Sequence, residues 1–170
     1  MAKVLMVVAQ KGFRDEELLV PKEILEKEGH SVKIASLTRG QATGALGAKI
    51  MPDIAVYEAN PEYFDCIVIV GGPGSPILAK TEKVVNLVEK AYNAGKIVAA
   101  ICLGPMTLAA AGILSGKFAT VFGSREGIEA LSNGGATYKD EGVVVDERII
   151  TADSPQNAGK FGTALAEKLK

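Results

Sequence analysis

The sequence predicts an α/β domain built on a mainly parallel β-sheet that is buried on both faces. Two observations carry that expectation. Short, almost wholly apolar runs at Val4–Ala9, Val32–Leu37, Cys66–Val70 and Ile97–Ile101 lack the polar alternation of a sheet with one wet face. Amphipathic or charged stretches of helical length, around Glu16–Glu28 and Glu82–Ala94, alternate with them, as βα units require. No internal repeat or long linker divides residues 1–170, a length that suits one core, so a single domain is expected.

The elements follow in order. After the first strand comes Gln10-Lys11-Gly12-Phe13-Arg14-Asp15-Glu16-Glu17, which opens a helix carrying Glu23 and Lys27 four apart and ending at Gly29. Pro21 lies inside that helix and is expected to kink it. Beyond the second strand, the Gly-rich, poorly periodic stretch between Thr38 and Pro52 reads as a small hairpin or flap. The strand Cys66–Val70 runs into Gly71-Gly72-Pro73-Gly74. From Ile97 to Ser115 no residue is charged, which approaches the length of a membrane span. Gly104-Pro105 interrupts it, so a buried strand, a sharp turn and a short helix, Met106–Ala111 closed by Gly112, are expected instead. Val143–Val145 and Arg148–Thr151 flank Asp146-Glu147 as a β-hairpin. A last helix is expected from Ser154-Pro155, with proline at its first position, to Lys168.

Bulk properties exclude several classes. A formal net charge of −1 gives no electrostatic reason to expect nucleic acid or an anionic membrane as partner. Two cysteines, Cys66 and Cys102, with a single histidine make neither a disulfide framework nor a zinc site, and nothing calls for a cofactor. The first residues lack a signal-peptide pattern, so a cytoplasmic protein with reduced thiols is expected.

In an open parallel sheet, ligands gather where strands hand over to helices at their carboxyl ends. Three such ends are chemically unusual here: Gln10–Glu17, Gly71–Gly74 and Cys102-Leu103-Gly104-Pro105. Cys102 sits where a tight strand-to-helix turn would lift a side chain clear of the sheet, as a nucleophile elbow does. The start of the following helix would favour an anionic sulfur. The glycine pair would bring backbone N–H groups close, and because Pro73 has none, the usable donors are the amides of Gly72 and Leu103. Free cysteine is also a common inert core residue, the reading adopted for Cys66. Asp15, Glu16 and Glu17 are equally compatible with acids that complement a helix dipole. Arg14 is compatible with binding an anionic substrate but reads first as solvent-facing, Asp153 reads as a cap for the last helix ahead of a place in the crevice, and the lone His30 reads as a surface residue.

Three segments together resemble the ThiJ/PfpI superfamily: Gly12-Phe13-Arg14-Asp15-Glu16-Glu17-Leu18 with Val20-Pro21, the strand-end Gly71-Gly72, and Ala99-Ala100-Ile101-Cys102-Leu103-Gly104-Pro105. The similarity in order and spacing covers nearly the whole chain. It implies a flavodoxin-like three-layer sandwich, usually a homodimer, with Cys102 as the reactive cysteine and Glu17 within hydrogen-bond reach of it. Spacing alone fits Glu16 as well as Glu17. A carboxylate beside a thiolate is repulsive, so the pair is expected to share one proton, held on Glu17 while Cys102 carries the charge.

Departures from the family pattern narrow the chemistry. Leu103 stands where the intracellular-protease branch has histidine, Pro76 where that branch has a glutamate, and Phe122 at the position of the deglycase branch's histidine. Peptide hydrolysis, which needs a base for the nucleophile and an acid for the leaving amine, loses most of its support. Two functional readings remain, beside a scaffold that keeps the elbow without its chemistry. One is an enzyme in which the Cys102 thiolate and Glu17 act on small reactive carbonyls, as a glyoxalase or deglycase would, with the oxyanion on the Gly72 and Leu103 amides. The other is a redox-sensing or stress-protective protein oxidised at Cys102.

Overall fold

The computed structural model describes residues 1–170. In chain order it forms β1 (Lys3–Val7), β2 (Lys11–Phe13), α1 (Asp15–Lys27), β3 (Ser31–Ser36), β4 (Ala42–Gly44), β5 (Lys49–Ile50) and β6 (Ile54–Ala55). Then follow β7 (Cys66–Ile69), α2 (Pro76–Ala79), α3 (Glu82–Asn93), β8 (Ile97–Ile101), α4 (Pro105–Ala110), β9 (Phe118–Ala119), α5 (Arg125–Asn133) and β10 (Thr137–Tyr138). The chain ends with β11 (Val143–Asp146), β12 (Ile149–Ala152) and α6 (Ala158–Lys168).

A seven-stranded sheet in the order β11-β12-β8-β7-β1-β3-β6 forms the central layer. Its pairings are parallel except for β11, which returns antiparallel to β12. That hairpin turns through Glu147 and Arg148, with Glu147 at a positive φ of 55°. The apolar runs are continuous because each strand feeds both faces. Leu5, Val7, Ile67, Ile69, Val98 and Ala100 point to the side covered by Val84, Leu87 and Val88 of α3, Leu108 of α4 and Leu131 of α5. Their neighbours Val4, Met6, Cys66, Val68, Ala99 and Ile101 point to the side covered by Leu18 and Leu25 of α1 and by Phe161 and Leu165 of α6. Two buried layers of side chains result, and removing water from both is the main driving force for the fold. Cys66 is fully buried among them, as expected of a core thiol.

The uncharged segment is a strand, a turn and a six-residue helix, and no helix is long and apolar enough to cross a membrane. Helix α1 runs through Pro21, which is buried against α6, where a Cβ on Gly162 would lie 3.0 Å from the Pro21 Cα. Before α6 the chain differs from expectation. Pro155 opens a separate 3-10 turn over Pro155–Asn157, and α6 itself starts at Ala158. The Thr38–Pro52 stretch does form a hairpin, β4–β5, and it joins β2 in a small three-stranded sheet beside the carboxyl end of β1.

From β1 the chain fills β3 and β6 on one side, then crosses to β7, β8 and β12 on the other. The switch point therefore lies between β1 and β7. A crevice at the carboxyl ends of β1, β7 and β8 is where such a topology places a ligand.

Candidate active site

Cys102 is the first residue after β8 and has a φ of 63°, in the left-handed region. For a residue with a Cβ that conformation costs about 1–2 kcal/mol, and the surroundings hold it in place. Its N–H donates to the Ala152 carbonyl at the end of β12 (2.8 Å), and its carbonyl accepts from the Phe122 N–H (2.7 Å). The Gly104 N–H closes the turn on the Ile101 carbonyl (2.9 Å). Only glycine fits there, because a Cβ on Gly104 would stand 2.5 Å from the Ile69 carbonyl oxygen. The elbow read from Cys102-Leu103-Gly104-Pro105 is thus present in its backbone. Helix α4 has only six residues, so individual amides rather than a long helix dipole act on the sulfur.

Those amides belong to Gly72 and Leu103. Neither donates to a backbone carbonyl, and both pull the Cys102 thiol down in pKa, favouring its anionic form. Gly72 adopts a φ of +114° and packs so tightly against β2 and the start of α1 that a Cβ would sit 2.3 Å from the Arg14 nitrogen. Gly71 is constrained by the site itself. A Cβ there would lie 2.6 Å from Glu17 Oε1 and 2.7 Å from the Cys102 Cβ.

The three successive acids at the start of α1 have three different surroundings. Asp15 turns away from the cysteine and accepts the N–H groups of Leu46 (3.0 Å) and Ala48 (2.8 Å), fastening the β4–β5 hairpin to the helix. Glu16 turns outward to a two-pronged ion pair with Arg14, both contacts at 3.0 Å. Glu17 points inward, is fully buried, and stands beside Cys102. The choice between Glu16 and Glu17 therefore falls on Glu17.

Neither Glu17 oxygen has a well-formed hydrogen bond. The Cys102 thiol and the Gly71 amide lie near enough to act on the carboxylate without completing one. Burial is the main cause that lifts the Glu17 carboxyl from the usual 4.5 to about 7. Burial, followed by the neighbouring Glu17 charge, lifts the Cys102 thiol to about 12, against the opposing pull of the Gly72 and Leu103 amides. The two groups are one titrating unit, and with Glu17 near 7 and Cys102 near 12 the single proton kept above neutrality rests mainly on the sulfur, not on Glu17 as the sequence led us to expect. The thiol is nucleophilic only in the form that places this proton on Glu17. Burial, followed by the nearby Asp65 charge, pushes the Cys66 thiol up as well, and Cys66 has no buried carboxyl beside it.

Above the thiol is an open cleft of about 310 Å³. Cys102 and Glu17 lie at its base, Phe122 and the prolines Pro73 and Pro155 give apolar walls, and Arg14 and Gln156 add polar groups. Arg14 therefore lines the site while staying about one-third exposed to solvent, its guanidinium paired with Glu16. The contribution of Pro155 and Gln156 was not legible in the sequence. They arrive because β12 pairs with β8, a neighbour relation that only the three-dimensional order reveals. Asp153 does not cap α6 through its backbone. It accepts from Ser154 Oγ (2.9 Å) and Asn157 Nδ2 (2.7 Å), bracing the turn that carries these two wall residues. His30 lies at the opposite end of the parallel sheet, where its Nδ1 accepts the Ala2 N–H (3.0 Å). No histidine reaches Cys102, and no group of three His, Cys, Asp or Glu side chains is arranged to hold a metal ion.

A left-handed cysteine between a buried glutamate and two glycine-framed amides invites comparison with known proteins. The family model described as DJ-1/PfpI matches residues 2–168. The chain belongs to the DJ-1/PfpI family. Within the DJ-1/PfpI family, a deglycase of Pyrococcus horikoshii is 39% identical over 169 residues, covering 99% of both chains. A glutathione-independent glyoxalase of Caenorhabditis elegans is 30% identical over 166 residues, covering 98% of this chain and 88% of that protein. The crystal structure of a ThiJ/PfpI domain protein from Brachyspira murdochii superposes with a TM-score of 0.94 at 32% identity, covering 98% of this chain and 95% of the other. This DJ-1/PfpI member thus has the flavodoxin-like three-layer sandwich that its sequence implied.

Proposed function

We propose that the protein is a cysteine-dependent enzyme that converts small reactive carbonyls, 2-oxoaldehydes foremost, into hydroxyacids. The observation that carries this reading is the left-handed Cys102 with the buried Glu17 beside it, both lining an open cleft next to two amides with no other backbone partner. Relatives named deglycase and glyoxalase point the same way. The same reading takes a homodimer acting in the cytoplasm, with a small carbonyl as its substrate.

The steps follow from the chemistry of the groups. With the shared proton on Glu17, the Cys102 thiolate attacks the aldehyde carbon, forming the C–S bond and moving the carbonyl π pair onto oxygen. The Gly72 and Leu103 amides receive that oxyanion, and a thiolate already held by them needs little rearrangement. Glu17 gives its proton to the oxygen and becomes the base. It carries the proton from the former aldehyde carbon to the former ketone carbon, while the hydroxyl proton passes to the former ketone oxygen. The aldehyde carbon is oxidised and the ketone carbon reduced within one molecule, so no outside oxidant or reductant enters. Water then hydrolyses the resulting thioester, releasing the 2-hydroxyacid and restoring the thiol and the shared proton.

Peptide hydrolysis has no comparable support, because Leu103 and Phe122 offer no proton donor to an amine leaving group. The test is hydroxyacid production from methylglyoxal by wild type and Cys102→Ser. The activity disappears in the variant; a wild type indistinguishable from Cys102→Ser ends the enzyme reading.

One observation favours a second reading. The buried Glu17 carboxyl, lacking a well-formed partner, is suited to donate a hydrogen bond to an oxidised sulfur. A sensor of this kind requires peroxide to oxidise Cys102 ahead of Cys66, read by peptide mass; equal or absent oxidation removes it.

A further inference from the structure

The cleft contains one cation, and it is held in a defined orientation. Arg14 Nε and Nη2 each donate to the Glu16 carboxylate at 3.0 Å, which fixes the plane of the guanidinium and leaves Nη1 with no partner. The Arg14 backbone nitrogen abuts Gly72, whose amide serves the sulfur, and its N–H is fastened to the Gly71 carbonyl (2.9 Å). Arg14 lines the same cleft as Cys102 and Glu17, with its side chain about one-third exposed. Glu17 is the other charged residue of the lining, and Phe122, Pro73 and Pro155 provide no side-chain donor. With Glu17 serving the first oxygen, a side-chain donor to the oxygen on the carbon next to the one that Cys102 attacks must come from Arg14 or Gln156, and only Arg14 is fixed by a partner.

We infer that Arg14, oriented by Glu16, binds the second carbonyl oxygen of a vicinal dicarbonyl, so that the cleft selects 2-oxoaldehydes over simple aldehydes of the same size. The inference rests on the reading of the site as a carbonyl-binding cysteine, and it adds the residue that recognises the substrate. The guanidinium also stabilises the negative charge that develops on that oxygen when the proton leaves the neighbouring carbon. Glu16 acts through Arg14 as a positioning residue.

Adduct formation tests this separately from turnover. Protection of Cys102 from iodoacetamide is measured with methylglyoxal and with propanal, each normalised to adduct formation by N-acetylcysteine to remove intrinsic electrophilicity. Short exposures and peptide mass verify that Arg14 itself is unmodified. Wild type is expected to prefer the dicarbonyl beyond the free thiol by about tenfold or more, as befits a charged donor. Arg14→Gln loses that preference while keeping its affinity for propanal, and Glu16→Gln loses part of it. A preference unchanged in Arg14→Gln, or no preference in wild type, overturns the inference. Adducts with the expected preference but no hydroxyacid would instead refute the proposed enzyme reading and leave Arg14 as the recognition residue.

Discussion

Glu17→Gln should change how stability depends on pH, and the size of the change follows from the site. The buried carboxyl titrates at about 7 in the folded chain and near 4.5 when unfolded. Between those values the folded state holds a proton that the unfolded state has released. Stability must therefore be greatest below about pH 4.5 as far as this group is concerned, and must fall as pH rises through 7. At about 1.4 kcal/mol per pH unit the loss amounts to about 3 kcal/mol, an upper figure because the site can relax. Linkage counts protons on the pair as a whole, so the expectation is the same whether the last proton sits on sulfur or on oxygen. Glutamine keeps the shape and removes the titration. Denaturant unfolding of wild type and Glu17→Gln at pH 5 and pH 8 reads the difference. The variant should gain about 2–3 kcal/mol relative to wild type on going to pH 8. A stability difference independent of pH, or one that moves the other way, would show that Glu17 is already ionised in the fold at pH 5 and that burial does not raise its carboxyl.

Three further outcomes check neighbouring parts of the site. The rate of Cys102 alkylation by iodoacetamide should show a step near pH 7 in wild type, where the pair loses its first proton. That step should be absent in Glu17→Gln, and Cys66 should stay unreactive in both; an unchanged profile refutes the coupling. Cys102→Gly should be more stable than Cys102→Ala by about 1 kcal/mol, since glycine accepts the left-handed backbone without penalty. Equal stabilities in chemical denaturation would show that the elbow stores no strain. Asp15→Ala should cost about 1–2 kcal/mol and speed hydrogen exchange at the Leu46 and Ala48 amides, which lose their acceptor. Protection that persists at those two amides would mean the hairpin is held by its strands alone.

The parallel sheet was legible because burial on both faces leaves an unmistakable mark, and β8 matches its apolar run residue for residue. The elbow was legible because a cysteine in front of Gly-Pro at a strand end has few ways to turn. Shorter elements were not. Strands β2, β6, β9 and β10 have two or three residues each, too few for any period to show. Helix α5 escaped notice although it has a conventional start, with Ser124 Oγ accepting the Gly127 N–H at 3.1 Å. The far wall of the cleft escaped for a different reason. Pro155 and Gln156 are remote in sequence from every other site residue, and only the pairing of β12 with β8 brings them in.

Arg14, Asp15, Glu16 and Glu17 mark the limit of a linear reading most clearly. Their composition says only that acids crowd the first turn of a helix, where the dipole alone would justify them. A helix turns by about 100° per residue, so three successive side chains must leave in three directions. One direction meets the β4–β5 hairpin, one meets Arg14, and one meets the sulfur. Which acid takes which direction depends on where the helix starts, and that is fixed by the Arg14 N–H bonding to the Gly71 carbonyl at the end of a strand some 57 residues later. The same bond joins the glycine pair to the helix, so the Gly72 amide and the Glu17 carboxyl beside the sulfur are positioned by one contact. Phe122 and Leu103 supply no histidine to that arrangement, and the chemistry left to the site is what a carboxyl, a thiol, two amides and one oriented arginine can do together.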